Sequence, residues 1–364
     1  MNIAVLGHKQ IPSREGGVEV VTEALCTRMA ARGHTVVCYN RKTAMQSSRE
    51  DYRSVRRRAV PTIRKKGLSA VSSSFFAAVF SAFSPAQVVH IHGEGPAFWC
   101  WIPRLAGKRV VVTVHGLDWQ REKWKGTLGA RYIRWGERAA VNHADGIIVL
   151  SRNVQTYFAD TYGRKTLWIP NGVTRPRPAT AEGIAGTFGL ERQNYFLFLG
   201  RLVPEKGIHE LIAAFRAVQT EKLLVIAGAP SDSDGYVEKL HTQAAEDPRI
   251  LFTGFVQGQL LEELYSNAYA FVLPSHLEGM PMSLLEAMSY DNCCLVSDIP
   301  ECTEVVENRA MTFPAGDVQA LKACLQRLAD HPELAEAYRA GAADFICGKY
   351  NWDEITERTL KVYQ

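Results

Sequence analysis

Several patterns that would assign this chain at a glance are missing from it. Its 8 cysteines are scattered through 364 residues, and no two are spaced C-x-x-C. That spacing argues against a zinc site and against a disulfide framework, and reduced thiols in a cytosolic enzyme are the simplest account. No stretch reaches the roughly 18 uninterrupted apolar residues of a spanning helix. The nearest, Gly67 to Phe83, is too short and too rich in serine. Met-Asn is followed at once by Ile3-Ala-Val-Leu6-Gly7, a strand-like opening without the basic start and long apolar run of a signal peptide. The G-x-G-x-x-G fingerprint is absent too, which disfavours a nicotinamide enzyme. Net charge is +4, too mild by itself to call for nucleic acid.

What the chain does have is alternation. Strand-like runs at Ile3–Leu6, Thr35–Tyr39, Val88–Ile91, Arg109–Val114, Gly146–Leu150 and Leu167–Ile169 are separated by helical patterns. After Tyr195 the alternation resumes at Tyr195–Leu199, Leu223–Ala227, Ile250–Thr253, Tyr269–Leu273 and Cys293–Val296. Continuous apolar runs alternating with helices predict parallel sheets covered on both faces, an α/β class. The length suggests two domains. Asn171-Gly-Val-Thr-Arg-Pro-Arg-Pro178 breaks the periodicity and reads as the linker. From Asp317 onward the pattern is helical, with Asn351 or Asp353 capping a last helix.

The densest chemistry lies at Pro274-Ser-His-Leu-Glu278-Gly279-Met280-Pro281-Met282-Ser-Leu284-Leu-Glu286. A strand-like run precedes it and a helix is predicted to follow. A helix start presents unpaired N–H groups and a positive dipole end, which suits a phosphate or diphosphate. Glu278 and Glu286 would flank that site and hold sugar hydroxyls. Equally, Ser283-Leu-Leu-Glu286 reads as a capping box in which Glu286 serves only its own helix. Upstream, a strand ends in Gly200-Arg201-Leu-Val-Pro-Glu-Lys206-Gly207. Arg201 as a planar fork and Lys206 as a point charge suit a diphosphate; the alternative is two solvated cations. Asp232-Ser-Asp234 has the look of a metal-binding D-x-D, but sits in a Ser/Asp/Gly loop where such residues cap helices.

In the first half, Gly16-Gly17 would let backbone approach a phosphate, or would simply be a flexible turn in which Glu19 favours the helix dipole. His115 follows a β-branched strand, which places it either at the ligand-binding edge of an open sheet or in a structural role. The cations Arg53, Arg56–Arg58, Arg64, Lys65 and Lys66 lead into a stretch carrying Phe75, Phe76, Phe80 and Phe83. Cations beside an aromatic amphipathic helix suit an anionic bilayer, and the alternative is a solvated loop before a core helix. No nucleic-acid motif accompanies them.

Taken together, Gly16-Gly17, His115-Gly116, Gly200-Arg201 with Lys206-Gly207, and Glu278-x7-Glu286 resemble the family-4 glycosyltransferases of GT-B fold. The opening residues and Gly116-Leu-Asp-Trp119 look like bacterial capsule and exopolysaccharide enzymes, rhamnosyltransferases among them. The resemblance implies two Rossmann-like doubly wound domains, 1–172 on the acceptor side and 173–345 on the donor side, with a cleft between them. A helix over 346–364 would cross back to the first domain. It implies a nucleotide-sugar donor whose diphosphate is neutralised by Arg201 and Lys206. Glu286 would hold the ribose and Glu278 the transferred sugar. Gly279, Met280, Pro281, Met282 and Leu284 would line the turn, and His115 would touch the sugar. The family more often has Gly-Phe-Gly after the first Glu; Pro281 here removes an N–H. The implied reaction is retaining transfer to an acceptor hydroxyl, with no metal or other cofactor. The expected acceptor is a lipid-linked glycan at the inner face of the cell membrane, approached through residues 53–83 by a cytoplasmic protein. A nucleotide-sugar epimerase of the same fold and a catalytically silent membrane-surface adaptor remain open alternatives.

Overall fold

A computed structural model describes residues 1–42, 51–65, 67–231 and 233–364. The chain forms two compact units, Met1–Gly172 with Trp352–Gln364, and Val173–Asn351.

The first unit is built on seven parallel strands: β1 (Asn2–Leu6), β2 (Thr35–Arg41), β3 (Arg56–Val60), β4 (Val88–His92), β5 (Arg109–Val114), β6 (Gly146–Val149) and β7 (Leu167–Trp168). Their order is β3-β2-β1-β4-β5-β6-β7, the doubly wound arrangement whose winding reverses between β1 and β4. The second unit repeats the plan with β8 (Tyr195–Leu199), β9 (Leu223–Ala227), β10 (Ile250–Gly254), β11 (Ala270–Leu273), β12 (Cys294–Ser297) and β13 (Met311–Phe313), ordered β10-β9-β8-β11-β12-β13. Here the reversal lies between β8 and β11. Central strands such as Val110–Val112, Phe196–Phe198 and Ala270–Leu273 are buried throughout, as continuous apolar runs covered on both faces must be.

Two strands were not anticipated. One is β13, only three residues long. The other is β3, whose residues Arg56-Arg57-Arg58 read as loop because three cations seldom join a ladder. They are tolerated because β3 is an edge: among the described residues it pairs only with β2, Arg56 and Arg58 are exposed, and the Arg58 guanidinium lies 4.8 Å from the Phe80 ring. Charge on an edge strand also deters pairing with other chains.

The aromatic stretch forms the helix Leu68–Ala82. Its buried face is Ser72–Ser74, Ala77, Ala78, Ser81 and Ala82. The serines fit there by bonding back to their own helix, as Ser74 does to the Ala70 carbonyl at 2.7 Å. Phe76 and Phe80 pack on the core, and Phe75 meets Trp99 edge-on at 4.9 Å. Phe75, Phe76 and Phe80 are half-buried, and Phe83 is 87% exposed. Lys66 lies outside the described residues.

The chain leaves the second unit after the helix Ala342–Lys349, and the final helix Trp352–Val362 belongs to the first. Arg109 Nε donates to the Val362 carbonyl at 3.0 Å, Arg32 pairs with Asp353 at 2.9 Å, and the Trp352 ring sits where a Cβ on Gly172 would collide with it. Among the described residues no helix is long and apolar enough to cross a membrane. All eight cysteines are unbridged.

Candidate active site

The reversal point of the second sheet assembles the residues singled out from the sequence. β8 runs into Gly200 and the half-buried Arg201. A single 3-10 turn, Pro204–Lys206, follows, and Gly207 then adopts φ +66° at the start of the helix Ile208–Arg216. A Cβ on Gly207 would overlap the Pro274 carbonyl oxygen, so this glycine lets the turn seat directly on the end of β11. The His276 N–H donates to the Glu205 carbonyl at 2.9 Å and ties the two loops together.

That docking brings Lys206 Nζ into an ion pair with Glu278 Oε1, where the side chains keep only 11% and 9% exposure. The buried Ser275 hydroxyl donates to the same carboxylate oxygen at 2.7 Å, and Ser297 Oγ in turn donates to the Ser275 carbonyl at 2.5 Å. A nearly buried cation and carboxylate are therefore held at the carboxyl ends of the two strands that flank the reversal, the place where open α/β sheets bind ligands.

The helix Met282–Ser289 starts from Pro281, two residues earlier than a box beginning at Ser283 requires, and no side chain caps it. Glu286 instead accepts a hydrogen bond from the buried Tyr265 hydroxyl at 3.1 Å, and Tyr265 stacks on Tyr290 with ring centroids 5.4 Å apart. Met280 and Pro281 are buried, while Gly279 and Met282 are half-buried. Leu284 is fully buried and its N–H donates to the Pro281 carbonyl at 3.1 Å, so its contribution is to the packing beneath the turn.

The carboxylate role of Glu286 can be separated from a helical one. Glu286→Gln keeps the length and one accepting oxygen but loses the second. If Glu286 holds a diol, donor KM is expected to rise about tenfold, by the weight of a charge-assisted bond. An unchanged KM returns Glu286 to structure alone.

In the first unit the reversal point lies between β1 and β4. Gly16 precedes the helix Gly17–Ala31 in extended conformation, and Glu19 accepts the Lys9 N–H at 2.9 Å, fastening the loop after β1 to that helix. His115 follows β5 and is half-buried. Its Nε2 is 2.9 Å from Nδ1 of His92, the last residue of β4. Burial lowers the His115 pKa to about 4, with Asp118 raising it and Arg121 lowering it, so the ring is neutral at pH 7. The segment after His115 is anchored from below. The Asp118 N–H donates to Glu94 Oε2 at 2.7 Å, and Trp119 Nε1 donates to Glu137 Oε2 at 3.2 Å. Glu94 and Glu137 are both fully buried. Burial, with the neighbouring carboxyls of Glu137 and Asp118, pushes the Glu94 carboxyl well above the usual range.

Asp232 lies outside the described residues. Asp234 opens the helix Asp234–Ala244, and the Ser233 hydroxyl between them donates to the Leu202 carbonyl at 2.6 Å. Sequence reasoning passed over His92, Glu94, Glu137, Tyr265 and Ser275. Only His90-Ile-His92 carried a visible signal, two histidines alternating at the end of a buried strand.

Comparison with known proteins agrees with this architecture. Residues 15–175 match the model described as "Glycosyltransferase Family 4", and residues 186–345 match "Glycosyl transferases group 1". The two matches span most of the chain, which belongs to the family-4 glycosyltransferases of GT-B fold. Alpha-maltose-1-phosphate synthase of Mycolicibacterium smegmatis is 26% identical over 345 residues, covering 84% of this chain and 85% of that protein. O-antigen chain mannosyltransferase B of Escherichia coli is 28% identical over 192 residues, covering 51% of this chain and 50% of that protein. Among solved structures, Anabaena HepE in complex with UDP and glucose superposes with a TM-score of 0.81 at 16% identity, covering 99% of this chain and 98% of that one.

Proposed function

We propose that this protein is a retaining glycosyltransferase that moves a sugar from a nucleotide-sugar donor to an acceptor hydroxyl without a metal ion. The observation that carries the reading is the Lys206–Glu278 pair, held almost dry beside Ser275 at the reversal point of the second sheet. In this reading Arg201 and Lys206 neutralise the donor diphosphate. Glu286 takes the ribose hydroxyls and Glu278 the transferred sugar, which His115 also touches. Gly279 to Met282 line the turn beneath it. The bond between the anomeric carbon and the diphosphate oxygen breaks, and its electron pair stays on the diphosphate. The acceptor oxygen bonds to the same face of that carbon and passes its proton to the departing diphosphate oxygen. Fixed cations that meet the charge developing on the leaving group lower the barrier. The UDP and glucose in HepE support a nucleotide-sugar as donor.

The test is incubation with UDP-, GDP- and dTDP-sugars, with and without a lipid-linked acceptor, in the presence of excess EDTA. Acceptor-dependent release of nucleoside diphosphate is expected to survive EDTA. Interconversion of sugars without acceptor would mark an epimerase. Loss of activity restored by magnesium or manganese would replace the metal-free reading.

For the acceptor we propose a lipid-linked glycan reached from an anionic membrane surface, by a cytoplasmic protein bound at its inner face. The O-antigen enzyme supports a surface polysaccharide as product class. The exposed groups of the first unit support the membrane. Phe83 and Leu105 are 87% and 79% exposed, and Lys108 donates to the Ser84 carbonyl at 2.8 Å, joining the two helix ends that carry them. Arg56, Arg64 and Lys65 are exposed along the preceding segment. Each cation near an anionic surface contributes about 1 kcal/mol. Flotation with anionic vesicles is expected at low salt and release as salt is added. Serine at Arg56, Arg64 and Lys65 is expected to weaken flotation while leaving donor binding intact. Wild-type protein that ignores such vesicles at low salt rules the surface out.

A further inference from the structure

Three imidazoles stand in a row at the carboxyl edge of the first sheet. The His90 and His92 ring centroids are 4.3 Å apart, and those of His92 and His115 are 5.2 Å apart. His90 is fixed from both sides: Nε2 lies 2.7 Å from Thr113 Oγ1 and Nδ1 lies 2.6 Å from the Tyr363 hydroxyl, contributed by the last residues of the first unit. His92 packs against it and is 1% exposed, whereas His115 reaches solvent. Burial holds all three below the usual histidine range, His90 at about 3, His92 well below and His115 at about 4. Each ring is therefore neutral at pH 7, with one nitrogen protonated and the other bare.

The contact between His92 Nδ1 and His115 Nε2 at 2.9 Å contains one proton, and a second atom decides whose it is. His92 Nε2 is buried without a hydrogen-bond partner. Were the shared proton on His115, His92 would carry its own on Nε2, an N–H in the interior with no acceptor. Were the shared proton on His92 Nδ1, the atom left over on Nε2 would be a bare lone pair. Orphaned buried N–H groups are rarer than under-satisfied acceptors. The second arrangement is favoured. His92 donates, His115 Nε2 accepts, and His115 carries its proton on Nδ1, which has no partner among the described residues.

We propose that His92 is a positioning residue that locks His115 in its Nδ1–H tautomer, so that His115 meets the sugar as a hydrogen-bond donor to a substrate oxygen. The second half of this statement rests on the reading that His115 contacts the donor sugar. The first half concerns the free protein alone. A histidine's tautomer is set by the bond its other nitrogen makes, and no sequence motif encodes this one: His92 and His115 come from neighbouring strands.

The experiment is long-range ¹H–¹⁵N NMR on the full chain labelled at histidine, with the His115 signals identified by their loss in His115→Asn. The expected result is a protonated-type nitrogen at Nδ1 and a bare-type nitrogen at Nε2. The reverse pattern, or averaged shifts for both nitrogens, overturns the proposal. Two variants then test positioning. His92→Asn keeps an amide N–H near the Nδ1 position and is expected to retain the His115 pattern and most of kcat. His92→Leu is expected to release the tautomer and lower kcat on the order of 100-fold, the scale for a misplaced reacting group, with the folded spectrum preserved. Equal losses in the two variants would reduce His92 to packing. If the NMR pattern is as assigned but His115→Asn and His115→Ala both transfer sugar at the wild-type rate, the tautomer stands and the placement of His115 at the sugar fails.

Discussion

Lys206→Ala is expected to lower kcat by on the order of 100-fold or more, the loss that follows removal of one fixed electrostatic contact from a leaving group. Arg201→Ala is expected to act in the same direction. The structure adds a second consequence for Lys206. Its partner Glu278 keeps only 9% of its side-chain exposure, and without the ammonium it retains only the Ser275 hydroxyl among its described contacts. Breaking a buried pair from one side destabilises by roughly 3 kcal/mol at the low end of the known range. The two effects separate in the double variant Lys206→Ala/Glu278→Gln. Removing the orphaned charge is expected to restore the thermal midpoint while the turnover defect remains. Near-wild-type kcat in both Lys206→Ala and Arg201→Ala would remove these cations from the mechanism.

Gly207→Ala is the second large effect. A Cβ there would stand inside the Pro274 carbonyl oxygen, at a backbone φ of +66° that already strains any L side chain. The left-handed conformation alone costs about 1–2 kcal/mol, and the overlap must be relieved by lifting the Lys206 turn from the end of β11. Because that turn positions the ion pair, activity is expected to fall on the order of 100-fold, as for an ångström-scale misplacement, and donor KM should rise with it. Gly189 also has positive φ, but a Cβ there meets nothing within 4 Å. Gly189→Ala should therefore carry the strain without the loss of activity, and parallel losses in the two variants would show that Gly207 matters only for stability.

These contrasts explain what could be read from the chain and what could not. Most strands were legible because they are buried on both faces: Arg109–Val114, Tyr195–Leu199 and Leu223–Ala227 fall at the residues expected. β3 was not, because an edge strand has no need of apolar side chains and Arg56-Arg57-Arg58 satisfies only the ladder. The packing of the helix Leu68–Ala82 was hidden for a related reason. Small serines and alanines line the fully buried face there, which leaves Phe75, Phe76 and Phe80 half-buried on the other side. The cations and carboxylates of the site were visible as spacing. Their pairing was not, since Lys206 and Glu278 are 72 positions apart and meet only because Gly207 permits the turn to close on β11. Likewise Glu286 read equally as a cap and as a ligand, and only the helix start at Met282 sets the cap aside.

The final helix also bears on how the chain is made. Trp352–Gln364 belongs to the same unit as Met1–Gly172, and Tyr363 bonds His90 in that unit's interior. A ribosome that has finished residue 172 must still add the whole second unit before this piece exists, on the order of 10 s at ordinary elongation rates. For that interval the nascent first unit carries an uncovered apolar strip where Trp352, Ile355, Leu360 and Tyr363 will dock. The second unit, continuous from Val173 to Asn351, needs nothing that comes later. The half of the protein synthesised first is thus the half completed last, and it is the half that a chaperone at the exit tunnel would need to shield.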